Sequence, residues 1–158
     1  MGLKKEQTHS SSFKKSTENE YRIFRKHFVF SCVDILLIKD GSVLLTRRTI
    51  NPHKGSWHLP GSIIRKNETM KQTVRRTAKK ELNINVKIKK YIGTYENLNS
   101  FRHDISHGFL VSHISGKIKT DFQSIELRFF KKIPKNMVPH HKKMIKKIFK
   151  IINESKTA

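Results

Sequence analysis

The chain has 158 residues, which is enough for one domain with an interior core. Lys and Arg number 34 against 12 Asp and Glu, and the formal net charge of +22 attracts polyanions such as nucleic acid, nucleotides or anionic lipid. Because the lysines are spread along the chain, a compositional habit of the source genome explains this charge equally well. The single cysteine, Cys32, excludes an internal disulfide, and no apolar stretch is long enough to span a bilayer.

The N-terminus lacks the apolar segment of a signal peptide. Together with the single cysteine, this predicts a reducing, cytoplasmic location and no membrane partner. Residues 1–25 are polar and basic, and we expect a flexible tail there because they bury too little apolar surface to offset the entropy of ordering. A single domain is expected over 26–153, followed by a short C-terminal tail over 154–158.

Two extended runs, 28–38 and 42–48, are rich in β-branched and aromatic residues. An Asp-Gly pair at 40–41 lies between them, which is a strong signal for a β-hairpin. Asp34 interrupts the first run. It is either a site carboxylate or an acid at an edge or strand end, and the second interpretation is favoured.

The stretch 55–84 contains a tight turn, a loop that includes Arg65, and a helix. The helix is predicted from about Glu68 to Leu82, because four apolar residues recur at every fourth position and form one stripe. These residues are Met70, Val74, Ala78 and Leu82. The carboxylate of Glu68 suits the positive end of the helix dipole, and Asn83 is the expected C-terminal stop.

The remaining chain alternates between strands and loops and ends in a helix. Further strands are predicted at 86–92, 108–112 and 121–130. The loop at 94–102 could close over a ligand, and the apolar stripe over 144–152 is typical of a helix docked on its own core. His103 and His107 lack the partners of a zinc site, so hydrogen-bonded or surface histidines are expected, with a catalytic base or a phosphate contact as the alternative.

Residues 55–84 resemble the sequence box of the Nudix hydrolase family. The family pattern reads G-x5-E-x7-R-E-U-x-E-E-x-G-U, with U a bulky aliphatic residue, and follows a G-x-W…P-G segment. The positions that match keep the spacing of the whole pattern: Gly55, Trp57, Leu59, Pro60, Gly61, Glu68, Arg76, Glu81 and Ile84. The positions that depart from it are Ser62, Thr77, Lys80 and Asn83. Enzymes similar to GDP-mannose mannosyl hydrolase also lack the acids that Thr77 and Lys80 replace.

The resemblance implies a fold and a metal site. The expected fold is of the α/β type, with a mixed β-sheet layered between helices. Glu81, Ser62 and Gln123, with a backbone carbonyl near Gly61, would hold one Mg²⁺ ion, or Mn²⁺ as the alternative. Substrate phosphates and water would complete the oxygen shell of such an ion.

The resemblance also implies roles for arginines. Arg76 would pair with Glu68 and fasten the loop to the helix, and Gly61 belongs to the same structural part of the box. Three residues are candidates for substrate binding: Arg48, Arg65 and His107. Arg48 matches an arginine that faces the substrate phosphates, and the fixed fork of a guanidinium suits phosphate oxygens.

Ser124 stands where the related enzymes have their general base, and a hydroxyl is a poor base near neutral pH. We therefore expect Glu126 or Asp104 to act instead, with Glu81, Arg48 and Glu126 as the catalytic set. The function predicted is a Mg²⁺-dependent hydrolase of a nucleoside diphosphate linked to another group, with a nucleotide sugar as the sharper hypothesis. The alternative is a catalytically impaired Nudix-fold module that binds nucleotide or RNA through its basic surface. A homodimer is compatible with the sequence, which leaves the oligomeric state open.

Overall fold

The computed structural model describes residues 15–99, 101–119 and 124–157. Within these residues the chain forms three helices and seven strands: α1 (Glu18–His27), β1 (Phe30–Lys39), β2 (Ser42–Arg48), β3 (Trp57–His58), β4 (Gly61–Ile63), α2 (Met70–Leu82), β5 (Asn85–Leu98), β6 (His103–Ser115), β7 (Ser124–Phe130) and α3 (Pro139–Thr157). The strands form one mixed sheet, and α2 and α3 pack on its opposite faces. This confirms the predicted layered fold.

Strand β1 is the centre of the sheet. It runs parallel to β6, and on its other side it pairs antiparallel with β4 and then with β2. Strand β6 pairs with β5, and β2 pairs with β3 and β7, all antiparallel. The predicted hairpin between β1 and β2 is confirmed. Its turn residues Asp40 and Gly41 both have positive φ, 49° and 72°, as a type I′ turn requires.

The alternation of side chains along β1 divides the interior into two apolar clusters. Val33 and Ile35 lie on the α2 face of the sheet, and Leu36 lies on the α3 face. The helix residues that complete the clusters are Val74, Ala78 and Leu82 from α2, and Met144, Ile145 and Ile148 from α3. Each fully buried aliphatic side chain contributes about 1.5–3 kcal/mol, so packing on the sheet holds both helices in place.

Helix α2 begins two residues later than predicted, because Thr69 is its N-cap. The Thr69 hydroxyl accepts a hydrogen bond from the Gln72 amide at 3.2 Å, and the Gln72 side chain accepts one from the Thr69 amide at 2.8 Å. Asn83 ends the helix in the left-handed conformation with φ 57°. Met70 is 40% exposed, so the buried apolar stripe begins at Val74 and not at Met70.

Helices extend into both segments for which tails are predicted. Helix α1 begins at Glu18 because Thr17 and Glu20 form a reciprocal capping box, a T-x-x-E signal that the composition argument overlooked. Helix α3 continues to Thr157. Residues 1–14 lie outside the described part, and the domain boundaries stay a prediction. Among the described residues, no helix combines the length and the apolar character that crossing a lipid bilayer requires.

Candidate active site around Glu81

The carboxylate of Glu81 lies where the last turn of α2 meets strand β4. Its Oε2 accepts a hydrogen bond from the Gly61 amide at 3.2 Å, and its Oε1 accepts one from the Ser62 hydroxyl at 3.3 Å. Glu81 is 9% exposed, and a carboxylate with so little access to water needs such donors. The structure thus brings together three residues that the sequence places in or beside a metal site.

Gly61 lies tightly against the central strand β1. A Cβ atom there would lie 2.2 Å from Oδ1 of Asp34 and 2.7 Å from the carbonyl oxygen of Val33. The missing side chain therefore allows β4 to pair with β1, with Gly61 opposite Asp34. This pairing sets the position of the amide that binds Glu81.

Glu68 and Arg76 form a clamp at the other end of α2. The guanidinium donates from Nε at 2.6 Å and from Nη2 at 2.8 Å to the carboxylate, and Nη2 also donates to the carbonyl of Ile63 at 3.0 Å. The Arg65 amide and the Thr73 hydroxyl donate to the same carboxylate. Burial works to raise the pKa of Glu68, but these hydrogen bonds outweigh it and lower the pKa to about 2.

Arg48 is half-buried at the end of β2. Its Nε donates to the carbonyl of Pro52 at 2.7 Å, which orients the guanidinium. Burial, and then repulsion from Arg102, lower the pKa of Arg48, while Glu81 works in the opposite direction. Arg48 therefore lies within electrostatic range of both Glu81 and Arg102.

A chain of buried histidines holds the turn that leads into Gly61. The His141 Nδ1 accepts a hydrogen bond from the Leu59 amide at 3.0 Å, and the His58 Nδ1 donates to the Leu59 carbonyl at 2.7 Å. The His58 Nε2 can then accept from the Thr46 hydroxyl, 3.0 Å away. Burial, and then repulsion from His141, lower the pKa of His58 to about 3, so this ring is neutral.

Asp34 ends this chain of contacts. The sequence favours an acid at an edge or strand end, and this prediction is wrong: Asp34 is 4% exposed and lies in the central strand between β4 and β6. Its Oδ1 lies 3.3 Å from Nε2 of His141. Burial works to raise the pKa of Asp34, but attraction to His141 outweighs it and lowers the pKa.

Asp34, His140 and His141 place potential ligand atoms within 4.8 Å of one another, which raises the question of a metal centre. Because Nδ1 of His141 accepts a hydrogen bond from the Leu59 amide, the N–H of this ring is at Nε2 and points at Asp34. A cation at Nε2 would have to displace this proton. The group is therefore a hydrogen-bonded support for the turn and not a cation site. The local signal for this support is the pair of adjacent histidines at the start of α3, and the sequence analysis did not predict the support.

Two further candidate residues, His107 and Glu126, lie on strands β6 and β7. His107 is close to the hydroxyls of Ser31 and Tyr91, at 3.3 and 3.1 Å. Glu126 forms ion pairs with Arg47, at 3.6 Å, and with Arg128.

Arg65 belongs to the clamp, where its amide binds Glu68. Asp104 is buried, with Arg102 at 2.6 Å. Gln123 lies outside the described residues, and so does the side chain of Ser124.

Comparison with known proteins identifies the family. The Nudix domain model matches residues 26–148. The chain is 33% identical over 133 residues to an ADP-ribose pyrophosphatase of Methanocaldococcus jannaschii, which covers 82% of this chain and 78% of the relative. It is 30% identical over 106 residues to the low-salt glycan biosynthesis protein Agl8 of Haloferax volcanii, covering 62% and 68%. The crystal structure of a MutT Nudix hydrolase from Burkholderia pseudomallei superposes with a TM-score of 0.72 at 19% identity, covering 76% of this chain and 98% of that one. The chain therefore belongs to the Nudix family and is a Nudix-type hydrolase.

Hydrolases of this family use divalent metal ions, and the residues around Glu81 fit one such ion. They offer oxygen donors, the carboxylate of Glu81 and the hydroxyl of Ser62, which suit a hard cation. Thr77, one turn before Glu81, has a buried hydroxyl with no hydrogen-bond partner among the described residues, so a polar atom there is left to serve a ligand. Lys80 is exposed. With one carboxylate among these helix positions, the site fits a single ion better than a cluster.

Proposed function

We propose that this protein hydrolyses nucleoside diphosphate derivatives with the help of one divalent cation, Mg²⁺ or Mn²⁺, and that its substrate is a nucleotide sugar or a related compound such as ADP-ribose. The observation that supports this is the placement of Glu81, which Gly61 and Ser62 hold at the end of α2. The names of the two relatives, an ADP-ribose pyrophosphatase and a glycan biosynthesis protein, point to the same class of compound.

In this proposal Glu81 and Ser62 hold the cation, and Arg48 binds the diphosphate. The cation, when bound, would offset phosphate charge and polarise the diphosphate toward attack by water. The guanidinium of Arg48 is fixed by Pro52, and its partial burial strengthens a charged hydrogen bond to a phosphate oxygen. The supported turn at Leu59 keeps Gly61 in place, so that Glu81 does not reorganise when substrate binds.

The general base is a separate part of the proposal. Glu126 is engaged by Arg47 and Arg128, and Asp104 is engaged by Arg102. Asp104 also lies within electrostatic range of Arg48, whereas the described contacts of Glu126 are with the two arginines. Glu126→Gln and Asp104→Asn therefore test the assignment: the variant that removes the base should lose the rise of kcat with pH.

The experiment that tests the function measures turnover of nucleotide sugars, nucleoside triphosphates and ADP-ribose with Mg²⁺ or Mn²⁺. We expect kcat/KM to fall by about 100-fold or more in Glu81→Gln, because the cation loses its carboxylate. Glu154→Gln is the matched control, since Glu154 is an exposed acid on α3 whose side chain is 64% exposed. If no compound is turned over and wild type and Glu81→Gln bind nucleotide equally, the protein is the binding module that the sequence left as the alternative.

A further inference from the structure

A basic cleft lies between helix α1 and the turn that joins β5 to β6. Its volume is about 540 Å³. Four cationic side chains line it: Arg22, Arg25, Lys26 and Arg102. The other lining residues are Asn99, Phe101 and His103, and none of the described lining residues is acidic. A concave site of this volume is typical of one that accepts a small molecule, and a long polyanion would need an extended stripe.

The cleft is held in shape by contacts that do not involve a ligand. The Arg25 guanidinium lies 3.9 Å from the centre of the Phe101 ring, which connects α1 to the β5–β6 turn. Arg102 donates to the hydroxyl of Tyr21 on α1 at 3.3 Å. The rings of Tyr21 and Phe30 pack 5.6 Å apart, so α1 is also fixed to the start of β1. The cations therefore converge on a defined space.

The carboxylates near the cleft do not balance its charge. Asp104 lies beneath Arg102 at 2.6 Å, and Glu96 pairs with His103 at 2.9 Å. Neither acid contacts Arg22 or Lys26 among the described ion pairs, and Arg22 is held instead by the side chain of Asn19 at 2.9 Å. Basic residues in the last turn of α1 suit its dipole, but the dipole does not account for Arg102, which belongs to another element. Converging like charges are stabilised by an anion between them.

The cleft adjoins the strand that positions the candidate active site. The Arg102 guanidinium, which lines the cleft, lies 4.9 Å from the centre of the Phe30 ring at the start of β1. Residues 32–34 of the same strand pair with β4, which carries Gly61 and Ser62. A ligand whose diphosphate sits at Arg48 and Glu81 would bring its other substituents toward the cleft.

We propose that this cleft binds a phosphate group that the substrate carries in addition to its diphosphate, as a phosphomonoester on one of its sugars. The proposal rests on the proposed function, because it describes part of the same substrate. Arg22 and Lys26 contact the phosphate, and Arg25 and Arg102 shape the site while they are engaged with Phe101 and Asp104. Guanidinium and ammonium groups are the side chains that recognise phosphate oxygens.

The test compares ligands that differ by one phosphate. Calorimetric titration measures the Kd of ADP-ribose, of ADP-ribose 2′-phosphate and of a nucleotide sugar phosphorylated on its sugar, all in the Glu81→Gln protein so that hydrolysis of the ligand is slowed. We expect at least one phosphorylated compound to bind about tenfold more tightly than its parent. This gain should fall below about threefold when Arg22→Gln and Lys26→Gln are added. Glutamine preserves helix propensity, and circular dichroism checks that α1 remains folded.

The matched control is Lys87→Gln with Lys89→Gln, which removes the same charge from exposed positions on β5. Lys87 lies about 35 Å along that strand from the β5–β6 turn. The control should retain the tenfold tighter binding of the phosphorylated ligand. If the control loses this gain equally, the gain comes from the net charge of the protein and not from the cleft, and the proposal is overturned. It is also overturned if no added phosphate tightens binding, or if only single-stranded RNA binding depends on Arg22 and Lys26. A cleft-dependent gain without any turnover by the wild type would sink the proposed hydrolysis and leave the phosphate site standing.

Discussion

Replacing Arg76 with methionine removes the side chain that clamps the loop before α2 onto the helix. The substitution takes away three hydrogen bonds: two to Glu68, at 2.6 and 2.8 Å, and one to the carbonyl of Ile63, at 3.0 Å. The side chains of Arg76 and Glu68 are 20% and 14% exposed, so the carboxylate left behind is poorly solvated. Breaking such a partly buried pair from one side costs about 3 kcal/mol. The lowered pKa of Glu68 has the same sign, and part of that shift comes from the Arg65 amide and the Thr73 hydroxyl, which the substitution leaves in place.

The sign of the pH dependence follows from the direction of this shift. The pKa of Glu68 is lower in the folded protein than in the unfolded chain, so the unfolded chain takes up the proton first as the pH falls. The stabilisation is complete above pH 4.5 and is lost as the pH falls toward 2. The destabilisation by Arg76→Met should therefore shrink between pH 6 and pH 3, by up to about 2 kcal/mol.

Urea unfolding monitored by the fluorescence of the single tryptophan, Trp57, measures this penalty at each pH. In thermal unfolding at neutral pH, we expect the Tm of Arg76→Met to fall by about 6–12 °C. Arg75→Met is the matched control, since Arg75 is exposed on the same helix, and its effect should stay within about 0.5 kcal/mol at every pH. Equal penalties for Arg76→Met at pH 6 and pH 3, or equal effects of the two substitutions, would refute the assignment of the stabilisation to this clamp.

Three further substitutions test other parts of the site. Gly61→Ala should lower the free energy of unfolding by about 2 kcal/mol or more, because its Cβ would lie 2.7 Å from a backbone oxygen; a melting temperature equal to the wild type would contradict this. Asp34→Asn should lower the free energy of unfolding by about 2–4 kcal/mol, since His141 loses a charged acceptor. Its kcat should fall more than its KM rises, because Gly61 is displaced. Unfolding and kinetics equal to the wild type would show that the pair of Asp34 and His141 does not support the site. Thr77→Val should leave stability unchanged or raise it by about 1 kcal/mol, because the hydroxyl has no partner among the described residues, and a loss above about 2 kcal/mol in thermal unfolding would reveal one.

Much of the architecture follows from local sequence patterns. The apolar runs separated by Asp40-Gly41 predict the hairpin, because positive φ at both turn residues is a local property. The period of Val74, Ala78 and Leu82 predicts the buried face of α2, and the box spacing predicts the pair of Glu68 and Arg76, which lie eight residues apart. Helix α1 was predictable too, because its capping box lies within four residues.

The support of the active site depended on tertiary structure. Asp34 and His141 are far apart in the chain, and their contact exists because β1 is central and α3 covers the face to which Asp34 points. No local pattern distinguishes that arrangement from an acid at a strand edge. The same holds for the basic cleft, where α1 contacts the β5–β6 turn through Arg25 and Phe101 and through Tyr21 and Arg102. Spacing along the chain determined which elements form, whereas strand order and helix docking decided which charges meet, because these depend on contacts between distant segments.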